Sequence, residues 1–280
     1  LHNQPVSAGE GYLFDNQQDE SAQRFAALAE LFDPSTFRHL EALGVRPGWN
    51  VWEVGAGGPT VPRWLAHRVG PTGRVLVTDI DTRWLDGLAG VSGVQVRRHD
   101  VGADDAPAGP FDLVHARLLL VHVPARDRAL AAMTATLRPG GWLLIEEPDP
   151  DLQALVCPDQ TGPAQELANR LKHASRRLLL QRGADLAYGR TLSRRLRALG
   201  LADVAADAYF PLTGPACARL EHASVTQLRE RLTGARLATP AEIDAHLANV
   251  ASGELDLATS PMISAWGRKS SGRPPTSSPT

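Results

Sequence analysis

The sequence predicts a doubly wound α/β fold, and three observations carry that prediction. Short apolar runs of strand length alternate with longer segments of helical spacing between residues 50 and 147. The first run ends in glycines that open a helix, and Asp79 stands at the end of the second, 24 positions after Gly55. Near the N-terminus, Phe25, Leu28, Ala29 and Phe32 recur at i, i+3, i+4 and i+7, one face of a helix over residues 19–32. Asp33-Pro34 reads as the N-cap and first-turn proline of a second helix, closed by Gly44. Strands are then predicted at 50–54, 74–78, 94–98, 111–115 and 142–146, with a helix at 125–137 that carries Leu130, Met133 and Leu137 on one face and ends at Gly140.

After Glu147 the alternation stops. Pro148, Pro150, Pro158 and Pro163 mark a connection before a long Leu- and Arg-rich helix ending near Gly183. A helix at 192–199 leads through Gly200 into an apolar run at 204–210, and the next stretch is again helical. Thr239-Pro240-Ala241-Glu242 is a capping box, with Ile243 and Leu247 on the buried face of its helix. A last strand is predicted at 261–266. The tail, 268–280, has almost nothing to bury and is predicted to be disordered.

Composition narrows the function classes. The chain has 280 residues, 43% of them hydrophobic, and a formal net charge of −2, which gives no global attraction for nucleic acid or an anionic membrane. There is no apolar run of about 18 residues, and residues 1–10 lack the basic-then-apolar pattern of a leader. The expectation is a soluble, cytoplasmic protein. Cys157 and Cys217 have neither metal-ligand nor disulfide-scaffold spacing, so both are expected to be reduced structural thiols, and no metal is expected.

Val51-Trp52-Glu53-Val54-Gly55-Ala56-Gly57-Gly58 is the strongest local signal, a strand running into glycines that let the backbone turn tightly and approach a nucleotide-like ligand. A nicotinamide cofactor would satisfy the same turn and the same acid at Asp79. Two facts tilt the balance away from it. Neither Lys nor Arg occurs within residues 53–60, and the G-x-G-x-x-G pattern fails because its last position is Thr60.

These residues resemble the class I S-adenosylmethionine-dependent methyltransferases, particularly bacterial small-molecule and natural-product enzymes of that class. The resemblance covers about residues 48–147 in its motifs and the remainder only in layout. The family's first motif, acid-x-Gly-x-Gly-x-Gly, is matched by Glu53, Gly55 and Gly57, with Ala56 between the glycines and Pro59 in place of the third. The resemblance implies that Asp79 binds the ribose, that Ile80 and Trp84 line the adenine face, and that Asp100 contacts the adenine amino group beside Val101. The fourth motif is matched by Phe111-Asp112-Leu113-Val114-His115-Ala116-Arg117, placing Ala116 and Arg117 at the cofactor, and Leu137-Arg138-Pro139-Gly140-Gly141 is similar to the turn before the fifth strand. Tyr12, with Phe14 and Asp15, resembles an N-terminal lid over the cofactor.

The expected architecture is a Rossmann-like seven-stranded sheet in the order 3-2-1-4-5-7-6 with its last strand antiparallel. Residues 1–44 would form N-terminal lid helices, 45–149 the S-adenosylmethionine-binding core, and 150–267 helical insertions plus the last two strands of the same domain. His122, in Val121-His122-Val123-Pro124, follows the fourth strand, where it is either a general base beside the transferred methyl or a histidine satisfied by backbone groups. His115 and His99 read as structural, and Arg176-Arg177 and Arg194-Arg195 as solvated helix faces. No Asn/Asp-Pro-Pro-Tyr motif follows the fourth strand, which argues against a nucleic-acid amine methylase. The expected reaction is methyl transfer to a small molecule, a secondary metabolite, by positioning more than by acid-base catalysis. The alternatives are a nicotinamide-dependent oxidoreductase and a non-methylating relative that retains the cofactor; a homodimer is left open.

Overall fold

The computed structural model describes residues 20–271. One sheet takes all seven strands: β1 (Asn50–Val54), β2 (Arg74–Asp79), β3 (Val94–Arg98), β4 (Phe111–Arg117), β5 (Leu137–Pro148), β6 (Leu201–Tyr209) and β7 (Met262–Lys269). Their order is β3-β2-β1-β4-β5-β7-β6, parallel except where β7 runs antiparallel to both β5 and β6, as the sequence predicts. The helices are α1 (Glu20–Ala42), α2 (Thr60–Val69), α3 (Arg126–Ala135), α4 (Pro163–Gln181), α5 (Leu192–Ala198), α6 (Pro215–Gly234) and α7 (Pro240–Ser252).

Strand alternation sorts the core onto the two faces of the sheet. Trp52, Val114, Leu143 and Ile145 pack with Leu130 and Met133 of α3 and Leu192 and Leu196 of α5. Val51, Leu113 and Leu144 face the other way, onto Leu65 and Val69 of α2 and Leu40 of α1. A third apolar layer joins α4, α6 and α7 through Leu171, Leu178, Val225, Leu228 and Ile243 above the carboxyl ends of the strands. The predicted capping box of α7 is present, with Glu242 N donating to Thr239 Oγ1 at 3.2 Å and Thr239 N to Glu242 Oε2 at 2.9 Å.

The predicted helix at 125–137 ends at Ala135, with Leu137 opening β5, and β4 runs on to Arg117; four other boundaries differ for clear physical reasons. Asp33-Pro34 does not start a second helix, because α1 runs through it. A proline inside a helix costs about 3 kcal/mol, and here tertiary contacts offset that. Asp33 turns its carboxylate to Arg117 instead of capping, while Leu31, Phe32 and Leu40 are buried. β5 begins five residues early, at Leu137, because Leu137 pairs with Phe111 before an irregularity that Gly140, at φ +76°, absorbs ahead of the Leu113–Trp142 pair. β6 starts at Leu201 and absorbs an irregularity between Ala202 and Ala205, with Asp203 at φ +53°. β7 continues to Lys269, whose ammonium donates to the carbonyls of Ala135 (2.8 Å) and Leu137 (2.7 Å), so the first two residues of the predicted 268–280 tail belong to the sheet.

Candidate active site

The chain leaves β1 through a left-handed turn. Gly55 (φ +64°) donates its N–H to the Thr78 carbonyl at 2.7 Å, and Gly57 (φ +62°) donates to Asp79 Oδ2 at 2.9 Å. A side chain cannot be added cheaply here: a Cβ at Gly55 would stand 2.7 Å from Leu119, and one at Gly57 3.2 Å from Phe25. Asp79 also accepts from Asp81 N at 3.0 Å through its other oxygen. Burial pushes its pKa up, and these backbone N–H groups pull it part of the way back.

Above the turn lies a cavity of about 510 Å³. Its floor is the strand ends, and its roof comes from α1, α4 and α6. Of the residues singled out from the sequence, Gly55, Ala56, Gly57, Asp79, Ile80, Asp100, Val101, Arg117 and His122 all line it. Glu53, Trp84 and Ala116 do not. Glu53 points under the sheet's α1 face, Ala116 is buried in the α3-side core, and Trp84 packs edge-on against Phe25 with ring centroids 6.0 Å apart. Tyr12, Phe14 and Asp15 lie outside the described residues.

Below the turn, Glu53, His115 and Glu146 point to the same face from β1, β4 and β5. His115 Nδ1 meets Glu53 Oε2 at 2.6 Å and its Nε2 meets Glu146 Oε2 at 3.3 Å. Burial alone would lower the His115 pKa, but the two carboxylates outweigh it and lift it to about 9. Glu146 is held well below the ordinary glutamate range against its own burial, by hydrogen bonds from His115 and His39. His39 of α1 bridges Glu146 at 3.2 Å and Asp207 of β6 at 2.9 Å. Ser264 Oγ donates to Glu146 at 2.7 Å, and Arg117 donates to Thr36 and Asp33 of α1, both at 2.8 Å. This charged ladder pins α1 across the sheet, and His115 is structural.

His122 ends a 3-10 turn, Leu120–His122, and faces the cavity. Burial, then the charges of Arg24 and Arg126, push its pKa down to about 3. A neutral imidazole with so acidic a conjugate acid is a weak base and remains able to donate or accept a hydrogen bond. Glu147 positions this turn, its carboxylate accepting the N–H groups of Leu119 (3.0 Å), Leu120 (2.5 Å) and Val121 (3.4 Å). Burial raises its pKa to about 7, the three N–H groups acting in the opposite direction. Sequence reasoning misses Glu147, which lies buried behind this turn, and also three residues that line the cavity, Arg24 of α1, Lys172 of α4 and Glu221 of α6. The one available signal was the adjacent Glu146-Glu147 pair, which strand alternation sends to opposite faces.

The residues suit a nucleoside carrying a sulfonium cation. The glycine turn leaves a cradle that any Cβ would fill, carboxylates stand at the ends of β2 and β3, and no basic side chain occurs in the turn. Residues 13–206 match the family described as "Methyltransferase domain". The chain therefore belongs to the methyltransferase family, and its fold is that of the class I S-adenosylmethionine-dependent enzymes. Of the two cofactors that the glycine turn left open, S-adenosylmethionine is the one this family uses.

Among its relatives is the ubiquinone/menaquinone biosynthesis C-methyltransferase UbiE of Bordetella parapertussis, 32% identical over 174 residues, which are 52% of this chain and 67% of that protein. The nocamycin O-methyltransferase of Saccharothrix syringae is 36% identical over 132 residues, 45% of this chain and 47% of that enzyme. Among solved structures, the phosphoethanolamine N-methyltransferase 2 of Haemonchus contortus, in complex with S-adenosyl-L-methionine, superimposes with a TM-score of 0.59 at 15% identity. That match covers 96% of this chain and 61% of the other and shows a shared fold. No described helix is long and apolar enough to cross a membrane.

Proposed function

We propose that this chain transfers the methyl group of S-adenosylmethionine to a small-molecule acceptor enclosed between the strand ends and α1, α4 and α6. The observation that carries the reading is that one cavity is lined both by Gly55, Asp79 and Asp100 and by Leu179, Glu221 and Met262. When bound, the cofactor supplies a methyl carbon already activated by its sulfonium, so transfer needs alignment more than acid-base chemistry. Asp79 accepts the ribose hydroxyls, Ile80 and Val101 cover the base, and Asp100 receives its amino group. His122 orients the acceptor, and Glu147 fixes the turn that carries it. The roof excludes water.

A secondary-metabolite acceptor is supported by the likeness to the nocamycin enzyme, and the relatives named above place methyl groups on carbon and on oxygen. A reducing, cytoplasmic setting is supported by Cys157 and Cys217, both free and buried.

The test begins with the cofactor end. Calorimetry is expected to show binding of S-adenosylhomocysteine and none of NAD. Asp79→Ala is expected to weaken S-adenosylhomocysteine by about tenfold or more, the worth of hydrogen bonds to a charged group, about 1.5–3 kcal/mol. Unchanged affinity in a folded variant would remove Asp79 from the site, and binding of NAD in place of S-adenosylhomocysteine would overturn the proposal.

A further inference from the structure

Resting on the reading above, we propose that Glu221, braced by His246, is the group that receives the acceptor, and that the acceptor is a neutral molecule presenting a hydroxyl on an apolar skeleton. Glu221 is 6% exposed and sits on the face of α6 that closes the cavity. His246 of α7 is fully buried behind it, with Nε2 3.1 Å from Glu221 Oε1. A carboxylate only accepts, so Nε2 carries the hydrogen, and the Nδ1 of His246 has no partner.

An apolar side chain would pack this helix face at less cost than a buried carboxylate, since taking a charge out of water is expensive. The brace secures one oxygen, and among the described residues no hydrogen bond is made to the other. Burial raises the Glu221 pKa, but the His246 hydrogen bond and the Lys172 charge outweigh it and keep the group ionised. The carboxylate is therefore a strong, oriented hydrogen-bond acceptor in a cavity whose apolar lining includes Leu28, Phe32, Leu179, Cys217 and Leu220.

Lys172 selects the charge class. It lines the same compartment from α4, and its ammonium offsets the carboxylate. A cationic amine would meet a carboxylate whose charge Lys172 partly offsets and would be repelled by that ammonium, whereas a neutral hydroxyl donates to Glu221 without that repulsion. Ser224, one turn along α6, supplies a further hydroxyl to the same wall.

The experiment uses three probes of one shape, 1-naphthol, 1-methoxynaphthalene and 1-naphthylmethylammonium, titrated calorimetrically with and without saturating S-adenosylhomocysteine. The wild type is expected to bind 1-naphthol about tenfold or more tighter than 1-methoxynaphthalene, which lacks only the donor. Glu221→Gln is expected to reduce that ratio by about threefold or more with S-adenosylhomocysteine affinity unchanged. Lys172→Met, at a half-buried position of α4, is expected to raise affinity for the ammonium probe by about tenfold. Equal binding of naphthol and its methyl ether by the wild type overturns the proposal without recourse to any variant. So does a wild-type preference for the ammonium, or an unchanged ratio in a folded Glu221→Gln protein. If S-adenosylhomocysteine fails to bind, the proposed function fails, while the naphthol ratio measured without it still judges Glu221.

Discussion

The floor and the roof of the cavity are built on different principles. The floor is backbone and short side chains at strand ends: the Gly55 to Gly57 turn, Asp79, Asp100 and the Glu147-held turn after β4. Beneath it, the ladder Glu53–His115–Glu146–His39–Asp207 ties β1, β4, β5, β6 and α1 together with buried charge. The roof is side chains on α1, α4 and α6, held to one another mainly by aliphatic packing. Strand register fixes a backbone wall, so one substitution cannot readily reshape it. A side-chain wall changes with each residue while the helices stay in place, which is how one fold serves many acceptors.

The largest expected effect sharpens this contrast from below. His115→Leu leaves Glu53 and Glu146 buried without the group between them and is expected to cost about 3–5 kcal/mol in urea denaturation. The folded-state pKa of His115 is raised from 6.5 to about 9. Its contribution to stability is therefore fully present below pH 6.5 and is lost as pH rises through about 9, because the unfolded chain gives up the proton first. The variant should lose that part of the alkaline slope; a slope identical to wild type would show that the ladder does not titrate as described.

A smaller effect is expected at the turn. Gly55→Ala places a side chain in the left-handed region, at about 1–2 kcal/mol, and drives its methyl toward Leu119. Thermal unfolding is expected to report a loss of that order, with S-adenosylhomocysteine binding weakened alongside it. A variant as stable and as tightly binding as wild type would break the argument that this wall is set by backbone. The smallest effect belongs to the roof's outer surface, where Arg229 of α6 pairs with Asp244 of α7 at 2.5 Å with side chains 35% and 64% exposed. Arg229→Ala is expected to change stability by about 0.2–1 kcal/mol; a loss comparable to that of His115→Leu would erase the distinction between ladder and roof.

The same contrast explains what could be read from the sequence. β1 to β4 and the α7 capping box announce themselves through local pattern, and the Gly55 turn with Asp79 through a spacing that strand and helix lengths impose. Pro34 misled because its local cost is offset by contacts 110 residues away, Thr36 reaching Glu146. The motif puts Glu53 at the cofactor, yet strand alternation turns its side chain to the opposite side, toward His115. Lys172 and Glu221 carry no signal, since a charged residue on an amphipathic helix looks alike whether it meets solvent or the inside of a cavity. The fourth motif puts Arg117 at the cofactor, and it does line the cavity, but its guanidinium donates to Thr36 and Asp33.

The two backbone N–H groups on Asp79 have a consequence for recognition. Each carboxylate oxygen has one lone pair engaged, by Gly57 and by Asp81, and one left over. The direction of the remaining pair is therefore set while the chain folds, and a vicinal diol arriving at this point has no side-chain rotor to freeze. The conformational entropy of aiming the carboxylate belongs to the stability of the turn and not to the affinity for the ligand.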